Sequence, residues 1–172
     1  MKFLKESPVS HIITTAGGFE MSDITSPDVF DSYSRMFTKN SVSALIAAHL
    51  AATVLEEKGN LVMTGALTPY KQPTPSMLTY ALSKNFVHTL NINLAKDPHF
   101  VKRNMNVYTI LPSTIDTESN RQAMPDADRS SWLDPGKMSE YLYMLCTTVN
   151  RPESGSFIEL TAEKGSVNAK IH

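Results

Sequence analysis

The sequence has 172 residues, of which 41% are apolar and 19% charged, and its formal net charge is −1. This length fits a single domain that can bury a hydrophobic core, and the composition excludes a disordered chain. The near-zero charge argues against nucleic acid or an anionic membrane as the main partner. The single cysteine, Cys146, excludes an internal disulfide, and its apolar neighbours predict a buried thiol.

Targeting and metal signals are absent from the sequence. The first residues, MKFLKESPV, lack the apolar core of a secretory signal. The longest apolar run, ALIAAHLAATVL (44–55), is too short to span a bilayer and contains His49. We therefore expect a cytoplasmic protein. The five histidines show no ligand spacing such as H-x-x-x-H, so no metal site is expected.

Short apolar runs alternate with longer helical patterns along the chain. The predicted strands are 9–15, 60–66, 105–112 and 155–161, and the predicted helices are 26–59, 74–97 and 134–150. In the first helix, Ser26 is the predicted N-cap, Pro27 the first helical residue and Gly59 the stop. Alternating strands and helices without hairpin signals predict an α/β fold. Its sheet is parallel, and right-handed crossovers place helices on both faces.

The segments that follow the strands are candidates for a functional site, because chemistry in parallel sheets gathers at the carboxyl ends of strands. They are TTAGGF (14–19), TGALTPY (64–70) and ILPSTIDT (110–117). Helix 74–97 carries Tyr80 and Lys84, which lie four residues apart and therefore on one face. An ammonium near a phenol favours the phenolate, so we expect Lys84 to lower the pKa of Tyr80 and make it a general acid or base. Taken alone, the pair more often belongs to an ordinary amphipathic helix.

The order of these segments resembles the short-chain dehydrogenase/reductase family over residues 9–161. Residues 14–17 (TTAG) resemble the NNAG strand end of the family, and Asn40 resembles its helix asparagine. Tyr80 and Lys84 match its Tyr-x-x-x-Lys motif, and Pro112 with the following STIDT matches its proline segment. The resemblance implies a Rossmann-type fold with NADH or NADPH as cofactor. It also implies a catalytic group, which consists of Tyr80, Lys84 and Asn40.

The resemblance further implies where ligands bind. The implied cofactor-binding residues are Ala16, Gly17, Gly18, Lys84, Pro112, Ser113, Thr114 and Ile115. The implied substrate-binding residues are Phe19, Tyr80, Asn120 and Arg121. Ser113 replaces the usual glycine of the family, which changes the expected turn geometry. Phe19 fits core packing equally well, and Asn40 fits either a water-holding role near Lys84 or the satisfaction of backbone groups.

One departure narrows the resemblance to a subgroup. Most of the family has a serine about 13 residues before the tyrosine, where this sequence has Leu67. The TGAL segment and residues 111–132 resemble members that lack this serine and reduce quinonoid dihydropterins. This implies reduction of quinonoid 6,7-dihydropteridine to 5,6,7,8-tetrahydropteridine, with Tyr80 as the proton donor, in tetrahydrobiopterin regeneration. Thr64 and Thr68 remain alternative hydroxyl groups.

A second departure concerns the start of the chain. The family begins with a strand, a glycine-rich turn and a helix that bind the cofactor pyrophosphate. No glycine precedes Gly17. The resemblance therefore implies one partial domain, 1–172, that lacks the first strands and leaves strand 9–15 at an exposed apolar edge. The resemblance also implies a homodimer that forms through helices 26–59 and 74–97. Two alternatives stay open, namely a non-catalytic dimerisation module and a short-chain reductase of another small carbonyl compound.

Overall fold

The structure, a computed structural model, describes residues 9–163 and 166–172 and contains a five-stranded sheet in the order β1-β2-β3-β4-β5. The strands are β1 (Val9–Ile13), β2 (Leu55–Thr64), β3 (Asn106–Pro112), β4 (Phe157–Glu163) and β5 (Ser166–Ile171). The first four are parallel, and β5 runs antiparallel to β4. The predicted α/β fold is confirmed, whereas β5 was not predicted. The expectation that the first eight residues form no secretory signal lies outside the described residues.

Helices connect the strands. They are α1 (Val29–Met36), a π-helical turn (Phe37–Val42), α2 (Ser43–Val54), α3 (Leu67–Lys71), a 3-10 turn (Pro75–Met77), α4 (Leu78–Lys96), α5 (Pro98–Lys102), α6 (Glu118–Ala123) and α7 (Pro135–Thr147). The first three follow one another without a break and correspond to the predicted helix 26–59. Helices α4 and α7 correspond to the predicted helices 74–97 and 134–150. Among the described residues, no helix is both long enough and apolar enough to cross a membrane.

The first helix begins later than predicted. It starts at Val29, with Asp28 at the N-cap position, so the assignment of Ser26 as N-cap is wrong. The hydroxyl of Ser26 instead accepts a hydrogen bond from Asp23 N at 3.0 Å. Ser26 therefore closes the preceding turn, and Pro27 lies in a turn before the helix rather than in its first position.

The same helix also ends earlier than predicted, at Val54 rather than Gly59. Leu55 adopts an extended backbone and is fully buried, which starts β2. Lys58 takes the positive φ of 63° that a stop glycine would supply. Gly59 serves close packing instead, because a Cβ there would lie 2.6 Å from Leu55 Cγ and 2.9 Å from Ser10 O.

Apolar side chains cover both faces of the sheet, as the alternation of strands and helices predicts. One face packs against α2, α4 and α5, and its buried residues include Ala48, Leu61 and Val87. The other packs against α7 and contains Cys146, whose predicted burial is confirmed. Burial raises the pKa of that thiol. At the edge of the described sheet, β1 pairs only with β2, and Ile13 is 41% exposed, as expected for an apolar edge strand.

A buried polar cluster joins the strands near the amino-terminal end of the sheet. Asn60 is fully buried, and its Nδ2 donates to His11 Nδ1 at 2.9 Å and to Cys146 O at 3.3 Å. Its Oδ1 accepts hydrogen bonds from Asn106 Nδ2 at 3.1 Å and from Arg151 Nη1 at 3.2 Å. The Asn60 amide therefore has partners on all sides.

Candidate functional site

The predicted pair on α4 lies at the carboxyl end of the sheet. Lys84 is only 4% exposed, and its Nζ donates a hydrogen bond to Thr64 O, the last residue of β2, at 2.9 Å. The same Nζ lies 5.9 Å from the centroid of the Tyr80 ring. The structure thus brings Tyr80 and Lys84 together on one face of α4.

Burial dominates the protonation of this pair. It lowers the pKa of Lys84 to about 8 and raises the pKa of Tyr80 to about 12. The expectation that Lys84 lowers the pKa of Tyr80 is wrong for this structure, because the ammonium lies beside the ring and donates to Thr64 O. The Tyr80 phenol is therefore protonated near neutral pH, which is the state that donates a proton.

Asn40 lies in the π-helical turn and connects two segments of the site. Its side chain is 2% exposed, and its amide pairs with both backbone groups of Gly18. Asn40 Nδ2 donates to Gly18 O at 3.1 Å, and Asn40 Oδ1 accepts from Gly18 N at 2.9 Å. Nδ2 also donates to Ser83 Oγ at 2.9 Å, and that hydroxyl donates to Tyr80 O at 2.7 Å. These contacts fit the reading in which Asn40 satisfies backbone groups.

The segment after β1 passes directly over these residues. A Cβ at Gly17 would lie 2.7 Å from Asn40 Oδ1 and 3.4 Å from Lys84 Nζ, so the chain approaches this closely only with glycine. Ala16, which precedes it, is exposed. The ring of Phe19 is 51% exposed and meets the Tyr80 ring edge-on, with centroids 5.0 Å apart. Residues 16–19 and the α4 pair therefore share one surface.

The segment 112–115 follows β3 at the same end of the sheet. Ser113 N donates to Leu160 O at 2.9 Å, and Leu133 N donates to Thr114 O at 2.8 Å. The Ser113 hydroxyl is buried and has no hydrogen-bond partner among the residues that the structure describes. Its backbone is fixed, while its side chain keeps an unused donor and acceptor.

Asn120 and Arg121, the two predicted substrate residues on α6, have partners of their own. Asn120 Nδ2 donates to Ile115 O at 2.8 Å. Arg121 forms a two-pronged ion pair with Asp116, at 2.7 and 2.9 Å, which holds the pKa of that carboxyl below its usual range. In the described part of the chain neither side chain is hydrogen-bonded to Tyr80. Both residues shape the loop after β3.

The position of the usual family serine is occupied by Leu67, which begins α3. The nearby Thr64 hydroxyl donates to Thr14 O at 2.8 Å and so joins the ends of β1 and β2. Its proton is therefore already engaged. Thr68, the other alternative, is exposed on α3.

His88 is a residue of this region to which sequence reasoning gave no role. Its Nε2 accepts a hydrogen bond from Ala66 N at 3.3 Å, and its Nδ1 lies 3.2 Å from Asn85 Oδ1. Burial, and then the charge of Lys84, lowers the pKa of His88 to about 4. A neutral ring with the proton on Nδ1 satisfies both contacts. A Cβ at Gly65 would lie 2.6 Å from Nε2, so His88 fixes the turn after β2. The signal available in the sequence is its position four residues after Lys84.

A cavity of about 550 Å³ lies between α3 and α4, and its lining includes Tyr70, Leu78 and Asn85. Neither Tyr80 nor Lys84 lines it. Tyr80 and Lys84 therefore face a different surface of α4.

The chain matches a known protein family. Residues 4–128 match the family model described as short chain dehydrogenase. The chain is 30% identical to the dihydropteridine reductase of Dictyostelium discoideum over 156 residues, which make up 90% of this chain and 67% of that protein.

Two solved structures share the fold. A short-chain dehydrogenase/reductase from Serratia marcescens superposes with a TM-score of 0.78 at 21% identity, over 88% of this chain and 64% of that one. A landomycin C-6 ketoreductase, solved with bound NADP and rabelomycin, gives a TM-score of 0.73 at 18% identity, over 92% and 64% of the two chains. The chain thus spans about two thirds of the length of these relatives.

Proposed function

The chain belongs to the short-chain dehydrogenase family, and on this premise we propose that it reduces quinonoid 6,7-dihydropteridine to 5,6,7,8-tetrahydropteridine with NADH or NADPH. One observation carries the proposal, namely the convergence of three segments around Gly17. A Cβ there would lie 2.7 Å from Asn40 Oδ1 and 3.4 Å from Lys84 Nζ. The strand end, the π-helical turn and α4 therefore present their polar groups to one point beside Tyr80.

The residues at this point fit a nicotinamide cofactor. The ammonium of Lys84 donates to Thr64 O and carries two further N–H groups, which suit the hydroxyls of a ribose. The buried Ser113 hydroxyl has an unused donor and acceptor, which suit a carboxamide. Gly17 and Gly18 provide a surface without side chains on which a ring can lie. When bound, NADH or NADPH supplies the hydride.

The chain itself supplies the proton. Tyr80 is protonated at neutral pH, because burial raises its pKa to about 12. Proton donation from its hydroxyl leaves a phenolate, and Lys84 Nζ lies 5.9 Å from the centroid of that ring. Asn40 acts through Gly18 and Ser83 and keeps the two segments in place.

Three features support a pterin as the substrate. The relative from Dictyostelium is a dihydropteridine reductase. In addition, Leu67 stands where most of the family has a serine that polarises a carbonyl group. An electrophilic conjugated imine needs a proton donor but less polarisation than a ketone. The exposed ring of Phe19 beside Tyr80 suits a flat heteroaromatic ring.

The test is steady-state reduction of quinonoid dihydropterin with NADH, comparing wild type with Tyr80→Phe. We expect kcat to fall by at least about 100-fold, the usual contribution of a general acid. Tyr143→Phe is the matched control, because Tyr143 is 71% exposed on α7 and should leave kcat unchanged. An inactive wild-type chain that also binds no NADH in calorimetry would favour the non-catalytic dimerisation module. Turnover of other carbonyl compounds, but not of the pterin, would favour a different substrate.

We further propose that the chain forms a homodimer through the helices α1–α2 and α4. Apolar side chains of these helices are exposed, namely Tyr33, Leu45, Ile46, Leu82 and Ile92. Burying such a surface against a second copy removes it from water. A single species of monomer mass in sedimentation velocity at micromolar concentration would contradict this assembly.

A further inference from the structure

The segment after the paired glycines has two different sides. Gly18 and Glu20 are partly buried and Ser22 is 3% exposed, whereas Phe19 is 51% and Met21 61% exposed. This alternation is that of an extended chain, in which successive side chains point to opposite sides. Phe19 and Met21 therefore share the open side, on which Phe19 meets the Tyr80 ring.

The two ends of this segment are fixed through backbone groups. At one end, the Asn40 amide pairs with both backbone groups of Gly18. At the other end, Ser22 O accepts a hydrogen bond from Leu78 N, the first residue of α4, at 2.8 Å. Glu20 is the middle one of the three residues between these anchors.

Glu20 is held by a guanidinium on α1. Arg35 Nε lies 3.1 Å from both oxygens of the Glu20 carboxylate, and Nη2 lies 3.0 Å from Oε2. Arg35 Nη2 also donates to Asp28 Oδ2 at 3.0 Å, and Lys39 Nζ lies 3.9 Å from Glu20 Oε1. The hydrogen bond from Arg35 lowers the pKa of Glu20. A planar, two-pronged contact fixes direction as well as distance.

We propose that Glu20 is a positioning residue, which holds segment 18–22 through Arg35 so that Phe19 and Met21 form one apolar wall for a flat heteroaromatic substrate. The proposal rests on the proposed function and adds Glu20, Arg35 and Met21 to it. Exposed ion pairs contribute little to folding stability. The geometry of this pair therefore matters for the orientation of the wall rather than for holding the fold together.

The first test is kinetic. Glu20→Gln should raise KM for the dihydropterin about fivefold, while kcat and the Kd for NADH stay within about twofold of wild type. Met21→Ala should raise the same KM, and Met21→Leu should restore it, because leucine keeps an apolar side chain of similar size. Arg35→Lys keeps the positive charge but loses the two-pronged guanidinium contact, so its KM for the dihydropterin should rise as in Glu20→Gln. Glu140→Gln is the matched control, since Glu140 pairs with Lys137 at 3.2 Å on α7, across the sheet.

The second test does not depend on turnover. Nuclear Overhauser contacts between the rings of Phe19 and Tyr80 should be present in wild type and Glu140→Gln and weakened in Glu20→Gln. A Glu20→Gln variant that keeps both the ring contacts and the wild-type KM overturns the proposal. If wild type does not reduce the pterin, the proposed function fails, and unchanged ring contacts in Glu20→Gln would then overturn the positioning role separately.

Discussion

The side-chain amide of Asn60, near the amino-terminal end of the sheet, and the hydroxyl of Ser113, at its carboxyl end, are buried polar groups in opposite situations. The Asn60 amide contacts four groups, on His11, Cys146, Asn106 and Arg151. The Ser113 hydroxyl has no hydrogen-bond partner within residues 9–163 and 166–172.

This contrast separates a buried amide whose hydrogen bonds join parts of the fold from a buried hydroxyl whose hydrogen-bonding capacity is unused. A buried polar group without a partner costs free energy, so native proteins normally pair it. For the Asn60 amide that pairing is complete. At the carboxyl end the unused hydroxyl of Ser113 and the spare N–H groups of Lys84 lie beside the proposed site. A bound cofactor would complete their hydrogen bonds.

The largest expected effect on stability comes from removing the hydrogen bonds of the Asn60 amide. Asn60→Leu leaves four groups short of a partner, one of them a guanidinium, and should lower the free energy of unfolding by about 3 kcal/mol. Urea unfolding measures this change, and kcat of the folded fraction should stay at the wild-type value. Asn93→Leu is the control, because Asn93 is exposed on α4 and its loss should cost at most about 0.5 kcal/mol. If Asn60→Leu lowers the free energy of unfolding by less than about 1 kcal/mol, the hydrogen bonds of Asn60 do not stabilise the fold as the comparison with Ser113 requires.

The second largest effect is the pH dependence of stability that the buried Lys84 ammonium causes at the carboxyl end of the sheet. The folded pKa of Lys84, about 8, lies below its ordinary value of 10.5, so the charged lysine destabilises the folded state below pH 8. This destabilisation disappears as pH rises through 8 towards 10.5. From this group alone, the free energy of unfolding should rise by about 2 kcal/mol between pH 8 and pH 10.

Lys84→Met should lack that rise in urea unfolding, whereas the exposed Lys102→Met should keep it. The comparison stops at pH 10. Above that pH the raised pKa of Tyr80 makes the free energy of unfolding fall as pH rises. Identical pH slopes in wild type and Lys84→Met would show that the ammonium is well solvated.

The smallest effect on stability is expected at Ser113. Ser113→Ala removes a hydroxyl without a partner, so the free energy of unfolding should change by less than about 0.5 kcal/mol. KM for NADH should rise severalfold if the hydroxyl meets the carboxamide. Chemical denaturation and steady-state kinetics on one preparation measure both. Destabilisation by more than about 1 kcal/mol would show that the Ser113 hydroxyl already has a hydrogen-bond partner in the free protein. It would then not be available to a cofactor.

The sequence predicts the parallel core of this fold well, because its four strands are apolar runs separated by helical patterns. It does not predict β5, since SVNAKI is half polar and its pairing depends on β4 rather than on its own composition. The end of the first helix is also misjudged, because Leu55 is drawn into the core before Gly59 is reached.

The candidate site follows the same division. Local spacing places Tyr80 and Lys84 on one face of a helix, and the structure agrees. The pKa of Tyr80 is raised by burial of the phenol, which the spacing of two residues on a helix does not specify. The roles of His88 and Glu20 depend on contacts with distant segments, which a single sequence does not reveal.

The π-helical turn determines the phase of the first long helix. Buried residues recur at every fourth position through it, at Ser32, Met36, Asn40, Ala44 and Ala48. Four residues of a regular α-helix advance by about 400°, so such a row would drift sideways by about 40° at each step. The wider turn absorbs part of that drift and lets the neighbours Asn40 and Ser41 both bond to Ser83. Deletion of one residue within 37–42 would let this wider turn return to regular α-helical geometry, so α2 would keep nearly the same direction against α1, while Asn40 and Ser41 could no longer both bond to Ser83.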